Sequence, residues 1–432
     1  MRPFGFNVIG HVSANVGVGV VARNAIDLIV RRGHPVATFD IDPGHGRAGR
    51  ESGYEHLSVG AVDDLPYGVT LVILSITALP DIIIDRRIRL RDDVVNAGFF
   101  WWELPVIPIF WTRSLEQFDV LVAGSEFLRS TFERHVSGIP AIHAAQSPAD
   151  IAGILPEREK FGIPDDKVAF VCIVEPTSDL IRKNPYAVIE AFQRAFEPGD
   201  PAHLVVKVNN PQAAASVSQL ATLRQAVGTL GSRVSLIEEF LPRRDVLQLF
   251  ASCDVFVGLH RAEGLGLGLM EAMALGKPVV ATGWSGNMTF MNHANSCLVS
   301  YRLIPVSGSI LAYSSAFLKE GVRWADPDLH EAAAWMKALV REPALRASIG
   351  QAAGDDMRRL RLETERGAFV DELRSIWEHA HLRPRRTAEE RESAISMLRD
   401  LRFDHYATLT ERVRIKSREM LDRHFLWRFR LK

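Results

Sequence analysis

Along the first 140 positions, apolar residues come in short, nearly unbroken runs separated by polar turns. They are GFNVIGHV from Gly5, HPVATFDID from His34, GVTLVILSI from Gly68, VVNAGFFWW from Val94 and DVLVAGS from Asp119. Runs of this kind, without alternation, predict strands covered on both faces, as in a parallel sheet. Between the first two lie a glycine loop, SANVGVG, and then VVARNAIDLIVRRG, apolar at helical spacing and closed by Gly33. Strand, loop, helix and strand make a βαβ unit, and repetition of such units gives a parallel sheet with helices on both faces. FLRSTFERHV adds a helix before the polar, turn-rich stretch PEREKFGIPDD at 156–166, where the domain junction is placed.

A second series follows: KVAFVCIV, a helix from Pro185, HLVVKVN, a helix around Ser216 to Leu230, VSLIEEF, DVFVGL, a further helix and PVVAT. Ala325–Val340, Pro343–Arg359 and GAFVDELRSIWEHA read as helices. The expected fold class is therefore α/β, with two open parallel-sheet domains at 1–153 and 154–365, a helix at 366–382 returning to the first, and a basic helical extension at 383–432.

Composition narrows the partners. Lys plus Arg is 51 against Asp plus Glu 52, so nothing draws the whole chain to nucleic acid. The extension carries 14 Lys or Arg against 8 Asp or Glu, and Val413, Met420 and Trp427 fall seven apart. That pattern suits peripheral contact with an anionic membrane surface, or a helix docked on the protein or on a second subunit, and the docked reading has the greater weight. Three widely spaced cysteines, Cys172, Cys253 and Cys297, fit neither a disulfide framework nor a paired-ligand metal site. The first residues lack a signal-peptide run, and Glu103, Pro105 and Pro108 interrupt the apolar stretch Val94–Trp111, so a cytoplasmic protein is expected.

The densest chemical signal is DVFVGLHRAEGLGLGLMEAMALGKPVVAT at 254–282. A loop with Gly264, Gly266 and Gly268 leads into a helix ending at Gly276, a form suited to an anion. Glu263 and Glu271 beside it would accept hydrogen bonds from sugar or ribose hydroxyls, or are simply acids favoured near a helix N-terminus. A second helix start lies in DLIRKNPYAVIEAF, where Asn184 reads as N-cap and Pro185 as first helical residue. Arg182 and Lys183 then suit a diphosphate, or form a surface cation pair. His260 is either exposed to the cleft or a satisfied core residue. Asp40 and Asp42 end a strand without the further oxygen ligands of a metal site.

With Glu263 and Glu271 separated by seven residues, RKNP at 182–185 and GKPVVATGWSGNMTFM at 276–291, most of residues 1–380 resembles the retaining nucleotide-sugar glycosyltransferases of family 4. The resemblance implies a GT-B fold, two Rossmann-like domains facing a central cleft. It implies that Glu271 holds the ribose, that Glu263 with the amides near Gly266 and Leu267 positions the donor sugar, and that Lys183 and Arg182 bind the diphosphate. The loop at Gly17 and Gly19, with Arg23 behind it, would close on the donor, and Ser285, Gly286 and Asn287 would line the cleft. A catalytic metal and other cofactors are not expected. The donor would be GDP-mannose or a UDP-sugar, and the acceptor a glycan, lipid-linked or other hydroxyl compound of bacterial-type polysaccharide or glycoconjugate synthesis. Two departures stand out. VCIVEPTSD carries Glu175 where many members have a Gly-Arg pair, and Trp102 or Glu103 stands where many have a histidine against the donor sugar.

Three other readings remain open. Gly17-x-Gly19-x-x-Ala22, with Asp40 twenty-one residues after Gly19, partly matches the dinucleotide fingerprint of an NAD-dependent oxidoreductase. A non-catalytic nucleotide-binding assembly protein would account for the two departures. A sugar-nucleotide epimerase or phosphorylase would share the fold.

Overall fold

A computed structural model describes residues 2–41, 51–85, 87–211, 217–308, 311–313, 321–382 and 386–405. The first half alternates β1 (Phe6–Gly10), α1 (Gly17–Arg31), β2 (Val36–Asp40), β3 (Val69–Ser75), α2 (Leu79–Ile84), β4 (Val95–Trp101), α3 (Ile109–Leu115), β5 (Val120–Ala123), α4 (Glu126–His135) and β6 (Ala141–His143). The strands are fully parallel in the order β2-β1-β3-β4-β5-β6. Every residue of β1 and β4 is buried, which explains the absence of alternation in their sequence.

The second half repeats the plan with β7 (Val168–Val174), α5 (Leu180–Lys183), α6 (Pro185–Ala195), β8 (Ala202–Val208), α7 (Val217–Gly228), β9 (Val234–Ile237), α8 (Arg243–Ser252), β10 (Val255–Gly258), α9 (Leu267–Ala274), β11 (Val279–Thr282) and β12 (Cys297–Val299). Its parallel order is β12-β11-β10-β7-β8-β9. Strand order reverses between β1 and β3 in the first sheet and between β7 and β10 in the second. Open sheets of this kind hold ligands at the carboxyl ends of the strands beside such a reversal.

The expected helix at Ala325–Val340 is corrected at its start. Residues Tyr301–Pro305 (β13) and Arg323–Pro327 (β14) form an antiparallel pair, and the helix α10 begins only at Leu329, running to Arg341. Buried Trp324 and Ala325 favour the strand, and Asp328 accepts from the N–H groups of His330 and Glu331 to start the helix. Helix α11 (Pro343–Glu365) is longer than expected. Helix α12 (Ala368–Glu378) packs against β4 and β6, with Asp371 paired to Arg32 at 2.7 Å.

Helix α13 (Ala388–His405) lies on α2 and α3, where nearly buried Arg391 donates to the Gln117 carbonyl and Leu398 is buried. The start of the extension is thus docked on the first domain. Val413, Met420 and Trp427, like Asp42, lie outside the described residues. Among those described, no helix is long and apolar enough to cross a membrane. All three cysteines are buried free thiols.

Candidate active site

A cavity of about 600 Å³ opens over both strand-order reversals, bordered by His11 beyond β1, Ser75 of β3, Val174 of β7 and Gly258 of β10. The loop 264–268 and the start of α9 form one wall. Gly266 takes φ 96°, the left-handed backbone that suits glycine, and no side chain caps α9 after it. The first N–H groups of the helix therefore border the cavity without a side-chain acceptor. A Cβ on Gly286 would fall 2.1 Å from the Gly264 carbonyl, so only glycine lets the two loops touch, and the Gly286 N–H donates to the Glu263 carbonyl at 2.9 Å.

Ser285 and Asn287 do not line this cavity; they brace its wall. The Ser285 hydroxyl accepts from the Glu263 N–H at 2.9 Å. Asn287 donates to the Thr282 carbonyl at 3.0 Å, and its Oδ1 lies 3.1 Å from His260 Nε2. His260, 2% exposed, also places Nδ1 3.0 Å from the Gly258 carbonyl, and burial lowers its pKa. It borders the cavity as a strut, with acceptor oxygens beside both ring nitrogens and a single N–H to donate to one of them.

Ion pairs join the candidate residues. Lys183 Nζ donates to Glu263 Oε1 at 2.5 Å. Burial works to raise the Glu263 carboxyl, but Lys183, then Arg182 and His260, bring it down to about 2. Arg182 is buried, donating to the carbonyls of Ala262 at 2.8 Å and Ser178 at 3.2 Å, and stands 3.6 Å from Glu263 and 3.8 Å from Glu103. Its guanidinium therefore organises the wall, while Lys183 is the more accessible of the two. Glu103, reaching over from the end of β4, accepts a hydrogen bond from the Tyr313 hydroxyl at 2.6 Å. The Tyr313 ring stacks on Trp102 at 5.5 Å and lies under the Arg182 guanidinium. Burial and then Glu103 hold that phenol well above its ordinary pKa, so it remains a donor.

Glu271 is buried, and its Oε1 takes Arg243 Nη2 at 2.6 Å from the start of α8. Asn184 departs from its expected capping role. It sits in the left-handed region at φ 56°, makes no side-chain cap and donates to the Leu259 carbonyl at 3.0 Å. Asp179 caps the preceding helix α5, accepting from the N–H groups of Ile181 and Arg182. Glu175 accepts from Thr177 and Asn210 at the cavity edge.

The first-domain glycine loop is tied to itself. Arg23 donates to the carbonyls of Val12 and Ala14, and Asp40 accepts from the Ser13 N–H at 2.9 Å. Gly17 borders the cavity, whereas Gly19 is buried beneath the loop and Asp40 does not line it. Among the cavity residues that sequence reasoning missed are Arg243, Tyr313 and Lys207. Of these only Lys207 left a signal, as a lysine inside the apolar run HLVVKVN.

No curated protein matches the sequence. The family model "Glycosyl transferases group 1" matches residues 170–305, the second sheet with its glycine loop. Among solved structures, sucrose-phosphate synthase from Thermosynechococcus elongatus is similar, with a TM-score of 0.62 and 14% identity over 88% of this chain and 99% of its own. Anabaena HepE in complex with UDP and glucose gives 0.60 and 16% over 86% and 100%. The α,α-trehalose 6-phosphate synthase from Burkholderia multivorans gives 0.59 and 14% over 89% and 100%. Two facing parallel six-stranded sheets, matched along nearly their whole length by these structures, make this chain's architecture the GT-B fold.

Proposed function

We propose that the protein is a retaining, metal-independent glycosyltransferase that moves a hexose from a nucleoside-diphosphate sugar to a hydroxyl acceptor. The observation that carries this reading is the convergence, on one cavity between two sheets, of an uncapped helix start with Lys183, Glu263 and Glu271. The second-domain match to a glycosyl transferase family model and the GT-B fold support it, and HepE, a structure of that fold, holds UDP and glucose.

In this mechanism the diphosphate lies against the first N–H groups of α9 and the Lys183 ammonium, which stabilise charge as it develops on the leaving group. Glu271, with one oxygen on Arg243, offers the other to the ribose hydroxyls. Glu263 accepts from hydroxyls of the donor sugar, and Glu103 faces the cation-like ring from the opposite domain. The bond between the anomeric carbon and the phosphate oxygen breaks with its electron pair going to the diphosphate. The acceptor oxygen bonds to the same face of that carbon, and its proton passes to the departing phosphate oxygen.

The test is calorimetric binding of UDP, GDP and ADP, followed by release of nucleoside diphosphate from UDP- and GDP-hexoses. Binding weakened about tenfold by Glu271→Gln, and turnover lowered about a hundredfold by Glu263→Gln, are expected. A folded protein that binds no nucleoside diphosphate overturns the reading.

A further inference from the structure

One buried cation on this cavity has no part in the mechanism above. Lys207 is the penultimate residue of β8, in register with Ile173 on β7 and Ile237 on β9, and is 1% exposed while bordering the cavity. Its ammonium donates to the Val208 carbonyl at 2.6 Å, which engages one of its three N–H groups. Burial pushes its pKa down to about 8, against the pull of Glu175 and Glu239. A buried ammonium with so little compensation is costly to the fold.

Its surroundings suggest a ligand for it. The connection from β9 to α8 carries Phe240, 41% exposed and bordering the cavity, and three residues later Arg243, which holds Glu271. The carboxylate assigned to the ribose is thus tied to the segment that supplies an open aromatic face. Phe240 and Lys207 border the same cavity as Glu271 and Arg243.

We propose that Lys207 reads the nucleobase by donating to an exocyclic keto oxygen, at position 4 of uracil or position 6 of guanine, while Phe240 packs against the ring. The site then takes a donor with a keto base and rejects cytidine and adenosine diphosphates. An ammonium only donates, and the amino group that cytosine or adenine carries at the same position also donates, so two donors would face each other away from water. The proposal rests on the glycosyltransferase reading above.

Nucleotides that differ at this one position test it: UDP against CDP, and IDP against ADP, with GDP added to separate a purine from a pyrimidine site. Titration calorimetry of the full chain is expected to show the keto member of at least one pair binding about ten- to a hundredfold tighter. Lys207→Met is expected to reduce that member to the affinity of its amino partner and leave the partner unchanged. Equal binding of keto and amino members by the unaltered protein overturns the base reading and leaves the donor reading standing. A loss on Lys207→Met shared equally by both members does the same. Failure of all five nucleotides to bind overturns both. The first comparison uses the unaltered chain, so it stands whether or not the variant folds.

Discussion

Two glycine loops follow two strands in this molecule and meet across the cleft, where a Cβ on Gly17 would lie 3.7 Å from Leu267. The loop at 13–19 is closed by its own neighbourhood. Arg23 takes the carbonyls of Ala14 and of Val12 just before it, Asp40 takes the Ser13 N–H, and a Cβ on Gly19 would fall 2.3 Å from the Ala14 carbonyl. The helix starts after both loops, α1 and α9, lack a side-chain cap, but the loop at 263–268 is braced from behind by Ser285 and Gly286 and has ion pairs gathered around its opening. Glycine spacing is similar in the two. What distinguishes a folding element from a binding element is which groups satisfy the backbone, and how much charge is held unshielded nearby.

Removing charge from the second loop should have the largest effect on stability. Glu263→Gln leaves Lys183 and Arg182 without their shared carboxylate and is expected to cost about 3 kcal/mol or more at pH 7, read from urea unfolding. The carboxyl titrates at about 2, below its ordinary 4.5, so its contribution is complete above pH 4.5 and is lost as pH falls through about 2. The gap between variant and parent should close over that acid range; a gap independent of pH would contradict the pairing.

The first loop should be sensitive to volume rather than charge. Gly19→Ala is expected to cost about 2–3 kcal/mol, because its Cβ meets two backbone carbonyls, whereas Gly17→Ala should stay within about 0.5 kcal/mol. Similar losses at both positions would mean that the close approach around Gly19 is not what fixes the loop.

A substitution at the buried lysine has the opposite sign. Lys207→Met should stabilise the ligand-free protein by on the order of 1–2 kcal/mol at pH 7. The lysine titrates at about 8 in the folded chain against an ordinary 10.5, so its cost is present in full below pH 8 and disappears as pH rises to 10.5. Thermal unfolding across that window should show the variant's advantage shrinking with pH.

Much of the fold was legible because buried parallel strands carry uninterrupted apolar runs, as in VVNAGFFWW and KVAFVCIV, and punctuation such as Gly33 marks where helices stop. Strand β14 was not, since the alanine-rich helix that follows it masks a short antiparallel pair with β13. At the site, Glu263, Glu271 and Lys183 were legible from their places beside helix starts. Tyr313 and Arg243 were not, because neither sits in a local pattern, and each is brought to its carboxylate from elsewhere in the chain.

The sequence by itself determined the α/β class, most of the central strands and several of the helices between them, the glycine-loop helix start and the acidic and basic residues beside it. These follow from periodicity and from backbone chemistry that acts within a few residues. Only the tertiary structure decided that Lys183 closes on Glu263, that Arg243 holds Glu271, that Ser285 and Asn287 stand behind the wall and that Lys207 borders the cavity. Ion pairing and burial depend on which strand ends and helix starts are neighbours, and that is set by sheet order and by packing across the cleft between the two domains.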